Sequence, residues 1–157
     1  LPLLTQQVRQ KGENMNKITV VYWSQSGNTE AMAEAIGKGI EQSGKEAEVV
    51  VVGEASIDSL KEADVFALGC PAMGDEVLEE DEMEPFVAQV EGFASGKNIA
   101  LFGSYGWGDG QWMREWVERM TNAGAKVVNG EGLMCQEEPD EDTIQSCIDL
   151  GKQLASM

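Results

Sequence analysis

Val20-Val21-Tyr22-Trp23-Ser24-Gln25-Ser26-Gly27-Asn28-Thr29-Glu30 joins an apolar run of strand type to a helical pattern through a cluster of hydroxyl, amide and glycine residues. Met32, Ala35, Ile36 and Ile40 follow at the spacing of one helix face. A buried strand therefore hands over to a helix at this point. The first N–H groups of a helix have no intrahelical partner, and Gly27 lets the chain close around an anion, so a phosphate fits here. A helix N-cap accounts for one or two of these residues but not for Ser24, Ser26, Gly27, Asn28 and Thr29 together. The turn lacks the lysine of a G-x-x-x-x-G-K-[ST] loop and the glycine spacing of G-x-G-x-x-G. What remains is a neutral cradle of hydroxyls, a side-chain amide and main-chain donors.

Outward from this turn, strand-like and helix-like segments alternate. The first helix is expected to end near Ser43 with Gly44 as its terminator. Strands are predicted at 47–52, 65–70 and 98–103, with a broken fifth at 126–128 and 133–134. Helical spacing recurs around 57–61, from Met83 to Val90, from Met113 to Met120, and from Asp140 to the end, with Ile144, Cys147, Ile148 and Leu154 inward. Nearly continuous Val/Ile/Leu strands separated by helices imply a parallel sheet covered on both faces. In such sheets ligands bind beyond the carboxyl ends of the strands, where the strand order reverses. The loops 24–29, Pro71-Ala72-Met73-Gly74-Asp75-Glu76 and Ser104-Tyr105-Gly106-Trp107-Gly108-Asp109-Gly110 all lie at such ends and are expected to converge. Trp107, between two glycines and outside any periodic pattern, reads as a plate for a flat ring, and the Met73 thioether suits the opposite face. Trp112 and Trp116, on the following helix, read as core.

Composition bounds the function. At 157 residues with 42% hydrophobic content, the chain has the size of one domain with a substantial core. No run of about 18 apolar residues exists to span a membrane. The first 14 residues read as an extension, native or vector-derived, with too short an apolar part for a secretion signal, ahead of a domain at 15–157. A formal charge of −17 argues against nucleic acid and anionic membranes and favours positively charged partners. There is no histidine, which removes Ser-His-Asp and Cys-His catalysis and the usual zinc sites, so no metal is expected. Cys70, Cys135 and Cys147 form no C-x-x-C pair, and their odd number points to free thiols and a reducing cytoplasm. Cys70 and Cys147 read as buried structural thiols.

The phosphate turn, together with Met-Gly-Asp-Glu at 73–76, Glu-Pro-Phe at 84–86 and Gly-Ser-Tyr-Gly-Trp-Gly-Asp-Gly at 103–110, resembles short-chain flavodoxins of the clostridial type across about residues 15 to 155. The resemblance implies a doubly wound α/β fold, a five-stranded parallel sheet of order 2-1-3-4-5 with helices on both faces. It implies flavin mononucleotide (FMN) as cofactor. The phosphate would lie on Ser24, Gln25, Ser26, Gly27, Asn28 and Thr29, and the ring between Pro71, Ala72, Met73, Gly74, Asp75 and Glu76 on one side and Ser104, Tyr105, Gly106, Trp107 and Gly108 on the other. Met73 and Trp107 would sandwich the ring, Glu76 would accept from its N3, and the peptide after Gly74 would turn over on reduction. Gln25 departs from the small residue usual in the family, and Glu137 stands in a loop that often carries an amide.

On this resemblance the protein is a monomeric, low-potential one-electron carrier using the semiquinone/hydroquinone couple, not an enzyme. Its partners would be ferredoxin-type reductases and low-potential oxidoreductases with basic docking surfaces. A like charge about 10 Å away at an effective dielectric near 20 costs on the order of 1.7 kcal/mol, or roughly 70 mV for one electron, which favours a low potential in so acidic a chain. Asp75, Glu76, Glu79, Glu80, Asp81, Glu82 and Glu84 are expected to form an acidic face beside the ring. The alternative is a flavodoxin-like NAD(P)H-dependent quinone or iron reductase, for which the chain is short, acidic and poor in Arg and Lys. A phospho-acceptor signalling domain needs acidic residues where Tyr22-Trp23 and Gly69-Cys70 stand.

Overall fold

The computed structural model describes residues 16–157 apart from Asp75; the predicted extension at 1–14 and the domain start at Met15 lie outside the described residues. The elements alternate as predicted. They run β1 (Lys17–Tyr22), α1 (Asn28–Gln42), β2 (Glu46–Val51), α2 (Ile57–Glu62), β3 (Val65–Gly69), α3 (Met83–Glu91), β4 (Asn98–Tyr105), α4 (Gln111–Asn122), β5 (Lys126–Val127), β6 (Leu133–Gln136) and α5 (Glu141–Ala155). All ladders are parallel and follow the order β2-β1-β3-β4-β5, with β6 also paired to β4. β5 and β6 are two halves of one interrupted fifth strand. β4 runs two residues further than the periodicity predicted, because Ser104 and Tyr105 pair with Cys135 and Gln136.

Alternation along each strand divides the core in two. Val21, Phe66, Leu68, Ile99 and Leu101 face α3 and α4 through Met83, Val87, Trp112 and Trp116. Their neighbours Val20, Tyr22, Ala67, Ala100 and Phe102 face α1 and α5 through Met32, Ile36, Ile148 and Leu154. This two-sided burial is why the strands read as continuous apolar runs rather than alternating ones. Gly39 of α1 and Gly151 of α5 lie at the crossing of those helices. A Cβ on Gly39 would overlap the Ile148 carbonyl, and one on Gly151 would overlap that of Ile36. The chain leaves β1 toward β2 and returns past it to β3, so the order reverses between β1 and β3. Trp23 N–H donating to Gly69 O at 3.0 Å marks that point.

Candidate functional site

Four loops meet at the carboxyl end of the sheet. In the first, Gly27 takes φ +94 before α1, and no atom lies within 4 Å of where its Cβ would stand. The first backbone bond of the helix runs from Ala31 N–H to Gly27 O, so the earlier N–H groups belong to the turn. Ser24 Oγ accepts from Gly27 N–H at 3.2 Å and Glu30 N–H at 3.3 Å, and Ser26 Oγ accepts from Asn28 N–H at 3.5 Å. Gln25 and Ser26 are exposed. Thr29 is buried, and its hydroxyl accepts from Ser104 N–H at 3.4 Å, which ties the first loop to the end of β4. The one carboxylate in this turn, Glu30, accepts from Tyr22 OH at 3.0 Å. Burial and that bond push the Tyr22 phenol up to about 12, so it keeps its proton and shields the charge.

The second loop is anchored at both ends on Cys70. Its sulfur accepts from Glu79 N–H at 3.5 Å, and its carbonyl accepts from Trp112 Nε1 at 3.0 Å. Burial pushes the Cys70 thiol up to about 12, so this buried anchor stays a thiol. Half-buried Pro71 and Ala72 continue from there, and Ala72 N–H donates to Ser104 O at 3.1 Å. Met73 and Val77 then exchange two backbone bonds, of 2.9 and 3.0 Å. Between them Gly74 takes φ +38 and Glu76 φ +59; Asp75 lies outside the described residues.

In the third loop Trp107 is 65% exposed, Gly108 takes φ +87 and Gly110 φ +93. Asp109 N–H donates to Glu76 Oε1 at 3.2 Å, so the second and third loops touch. Arg114 holds Asp109 through its carbonyl at 3.0 Å and its carboxylate at 2.9 Å. Tyr105 leans on Trp112, ring centroids 5.6 Å apart.

A fourth loop, left out of the predicted set, completes the site. Glu137 N–H donates to Tyr105 O at 2.8 Å, Ser104 Oγ donates to Glu137 O at 2.6 Å, and Gln136 Nε2 donates to Gly106 O at 3.2 Å. Glu137 takes φ +61, which few non-glycine residues adopt and which no local sequence signal announces.

The predicted acidic face needs correction at two positions. Glu79 is 7% exposed, and its carboxylate accepts from Asp81, Glu82 and Met83 N–H at 2.8, 2.8 and 2.9 Å. Burial pushes this carboxyl up, but the three N–H bonds outweigh it and hold it below the usual carboxylate range. Glu84 is paired with Arg119 at 2.6 Å. Glu80, Asp81 and Glu82 are exposed.

A doubly wound parallel sheet with a neutral, glycine-turned anion cradle and a tryptophan-bearing loop at its switch point defines a mononucleotide-binding α/β protein. The flavodoxin family model matches residues 20–151, and the chain belongs to the flavodoxin family. It is 54% identical over 138 residues to the flavodoxin of Clostridium beijerinckii, covering 88% of this chain and 99% of that one. It is 41% identical over 138 residues to the flavodoxin of Megasphaera elsdenii, covering 88% and 98%. The solution structure of two-electron reduced Megasphaera elsdenii flavodoxin superposes with a TM-score of 0.78 at 38% identity, covering 89% of this chain and 99% of that one. A flavodoxin from the domain Archaea superposes at 0.79 with 34% identity, covering 89% and 96%. The protein is thus an FMN-binding electron carrier rather than an enzyme, and it works with redox partner proteins. No helix among the described residues is long and apolar enough to cross a membrane.

Proposed function

We propose that this chain is a low-potential carrier whose FMN is held by the residues named from the sequence, with the fourth loop bracing them. FMN supplies one-electron redox chemistry at its isoalloxazine ring. The single observation that carries the assignment is the set of cross-loop bonds, Ser104 to Thr29, Ala72 to Ser104 and Asp109 to Glu76, which draws the three predicted loops to one place. The residues fit the cofactor in charge as well as position. The turn at 24–29 offers main-chain and hydroxyl donors to a phosphate, and no atom stands within 4 Å of the Cβ position of Gly27. Trp107 leaves 65% of its surface uncovered, the kind of apolar area that a flat ring covers.

In this reading Ser24, Gln25, Ser26, Gly27, Asn28 and Thr29 bind the phosphate. Pro71, Ala72, Met73, Gly74, Asp75 and Glu76 line one side of the ring, and Ser104, Tyr105, Gly106, Trp107 and Gly108 line the other. Met73 and Trp107 cover the ring faces and exclude water, while the Glu76 carboxylate accepts from a ring N–H. No lysine or arginine stands in the phosphate turn to offset added negative charge, which disfavours the fully reduced state and lowers the potential. Glu80, Asp81 and Glu82 attract partners with basic surfaces. A monomer in the cytoplasm suits the free, buried Cys70, Cys135 and Cys147.

Extraction and chromatography of the bound flavin tests the cofactor assignment. FMN is expected, and FAD alone would overturn it. Electron transfer to a basic partner should slow steeply as salt rises; rates flat across ionic strength would remove the basic-partner reading.

A further inference from the structure

Glu30 belongs to the phosphate turn by its main chain and is kept out of it by its side chain. With Gly27 as the N-cap of α1, Glu30 is the third residue of the helix. Its N–H donates to Ser24 Oγ at 3.3 Å, beside the Gly27 N–H at 3.2 Å. A glutamate at this place ordinarily folds back to accept from the N-cap N–H, drawn there by the positive end of the helix dipole. Here that N–H goes to Ser24, and the Glu30 carboxylate accepts instead from Tyr22 OH at 3.0 Å.

Tyr22 is placed to hold that carboxylate. It is 8% exposed and packed among the residues that join β1 to α1 and α5, which fixes its hydroxyl at the end of β1. Burial, the bond to Glu30 and the charges of Glu30, Glu34 and Glu54 push the phenol up to about 12, so it stays a donor throughout the neutral range. Glu34, one turn further along α1, also repels the Glu30 carboxylate. Without the hydroxyl, that carboxylate is drawn toward the N–H groups at the start of the helix.

We propose that Tyr22 sets the specificity of the phosphate turn: by holding the Glu30 carboxylate it leaves the donors at 24–29 to a phosphate, and so gives the turn its preference for a phosphorylated flavin over an unphosphorylated one. A carboxylate folded onto Gly27 would take donors that a phosphate needs and would repel its negative charge. The turn has no lysine or arginine to offset such a charge, so the task falls to the one hydroxyl that holds the acid away. This inference rests on the placement of the FMN phosphate at 24–29, and it assigns a role in binding to a residue outside that turn.

The test compares FMN with riboflavin, which has the same ring and ribityl chain without the phosphate, by fluorescence titration of the full-length apoprotein at low ionic strength. The wild type should bind FMN more tightly than riboflavin. Tyr22→Phe should lower that preference about three- to tenfold, through weaker FMN binding, with riboflavin affinity within about twofold of wild type. Glu30→Gln keeps the shape of the side chain and removes its charge. Tyr22→Phe added to Glu30→Gln should therefore leave the preference within about twofold of that of Glu30→Gln alone. A preference unchanged by Tyr22→Phe, whether or not both affinities fall, or a loss undiminished on the Glu30→Gln background, overturns the inference and leaves the phosphate turn standing. A wild type that binds riboflavin as tightly as FMN overturns the placement of the phosphate and this inference with it.

Discussion

The carboxylate of Glu76 occupies the place where a side chain on Gly108 would stand: a Cβ built on Gly108 would overlap it, and Glu76 Oε1 accepts from the next N–H, that of Asp109, at 3.2 Å. Glycine at 108 is thus required by its φ of +87, and a side chain there would also make the Glu76 carboxylate swing away from the Asp109 N–H. Gly108→Ala should strain the third loop by about 1–2 kcal/mol and push Glu76 aside, so FMN affinity should fall at least about tenfold. Gly130→Ala is the control, since Gly130 has φ +72 with nothing within 4 Å of its Cβ position. It should lose stability without losing flavin. Fluorescence titration of the apoprotein with FMN measures the first effect, and urea unfolding the second.

Gly74 tests whether backbone freedom in the second loop sets the potential. It takes φ +38 with nothing within 4 Å of its Cβ position, so a side chain there meets no neighbour and acts only through conformation. Gly74→Thr should cost the turn about 1–2 kcal/mol in any state that needs positive φ. If reduction drives the loop further into such a state, the first one-electron potential should fall by about 40–90 mV while oxidised FMN binds nearly as before. Potentiometry of both couples, beside the FMN dissociation constant, separates this from a static turn, which would lose affinity without a selective shift in the first couple.

Glu79 links the second loop to pH. Its folded carboxyl lies below the ordinary glutamate value of 4.5, so its contribution is present above that value and disappears as pH falls through the lowered one. Glu79→Gln should destabilise the protein by about 1.5–3 kcal/mol at neutral pH, because three N–H groups lose a charged acceptor. The gap between wild type and variant should close as pH falls below about 4. Urea midpoints for both proteins from neutral pH to about pH 3 measure it, and a gap constant across that range would show that folding leaves the proton affinity of Glu79 unchanged.

The α1–α5 crossing predicts a purely structural effect. Gly39→Ala would drive a methyl into the Ile148 carbonyl, a backbone atom that cannot swing aside. Overpacking of this kind costs about 2–3 kcal/mol and should lower Tm by roughly 5–10 °C. Redox potentials should not move, since the crossing lies away from all four loops. A calorimetric scan and one potentiometric titration check the two halves of this expectation.

Read by itself, the chain determined the sheet, its helices and three of the four loops that meet at the carboxyl end of the sheet. Those features are local: period-2 and period-3.6 apolar patterns, Gly27 before a helix, and Trp107 between glycines at a strand end report on their own surroundings. The position of Glu79 could not be read that way, because a carboxylate in an acidic run looks solvated until the chain folds three N–H groups around it. Nor could the part played by Gln136 and Glu137, which reach the site only because β6 pairs with the end of β4 more than thirty residues earlier in the chain. The glycine crossing of α1 with α5 is likewise a product of packing. Each depends on surfaces brought together from distant segments, and the energy of such contacts is set by tertiary geometry rather than by any residue's own preference.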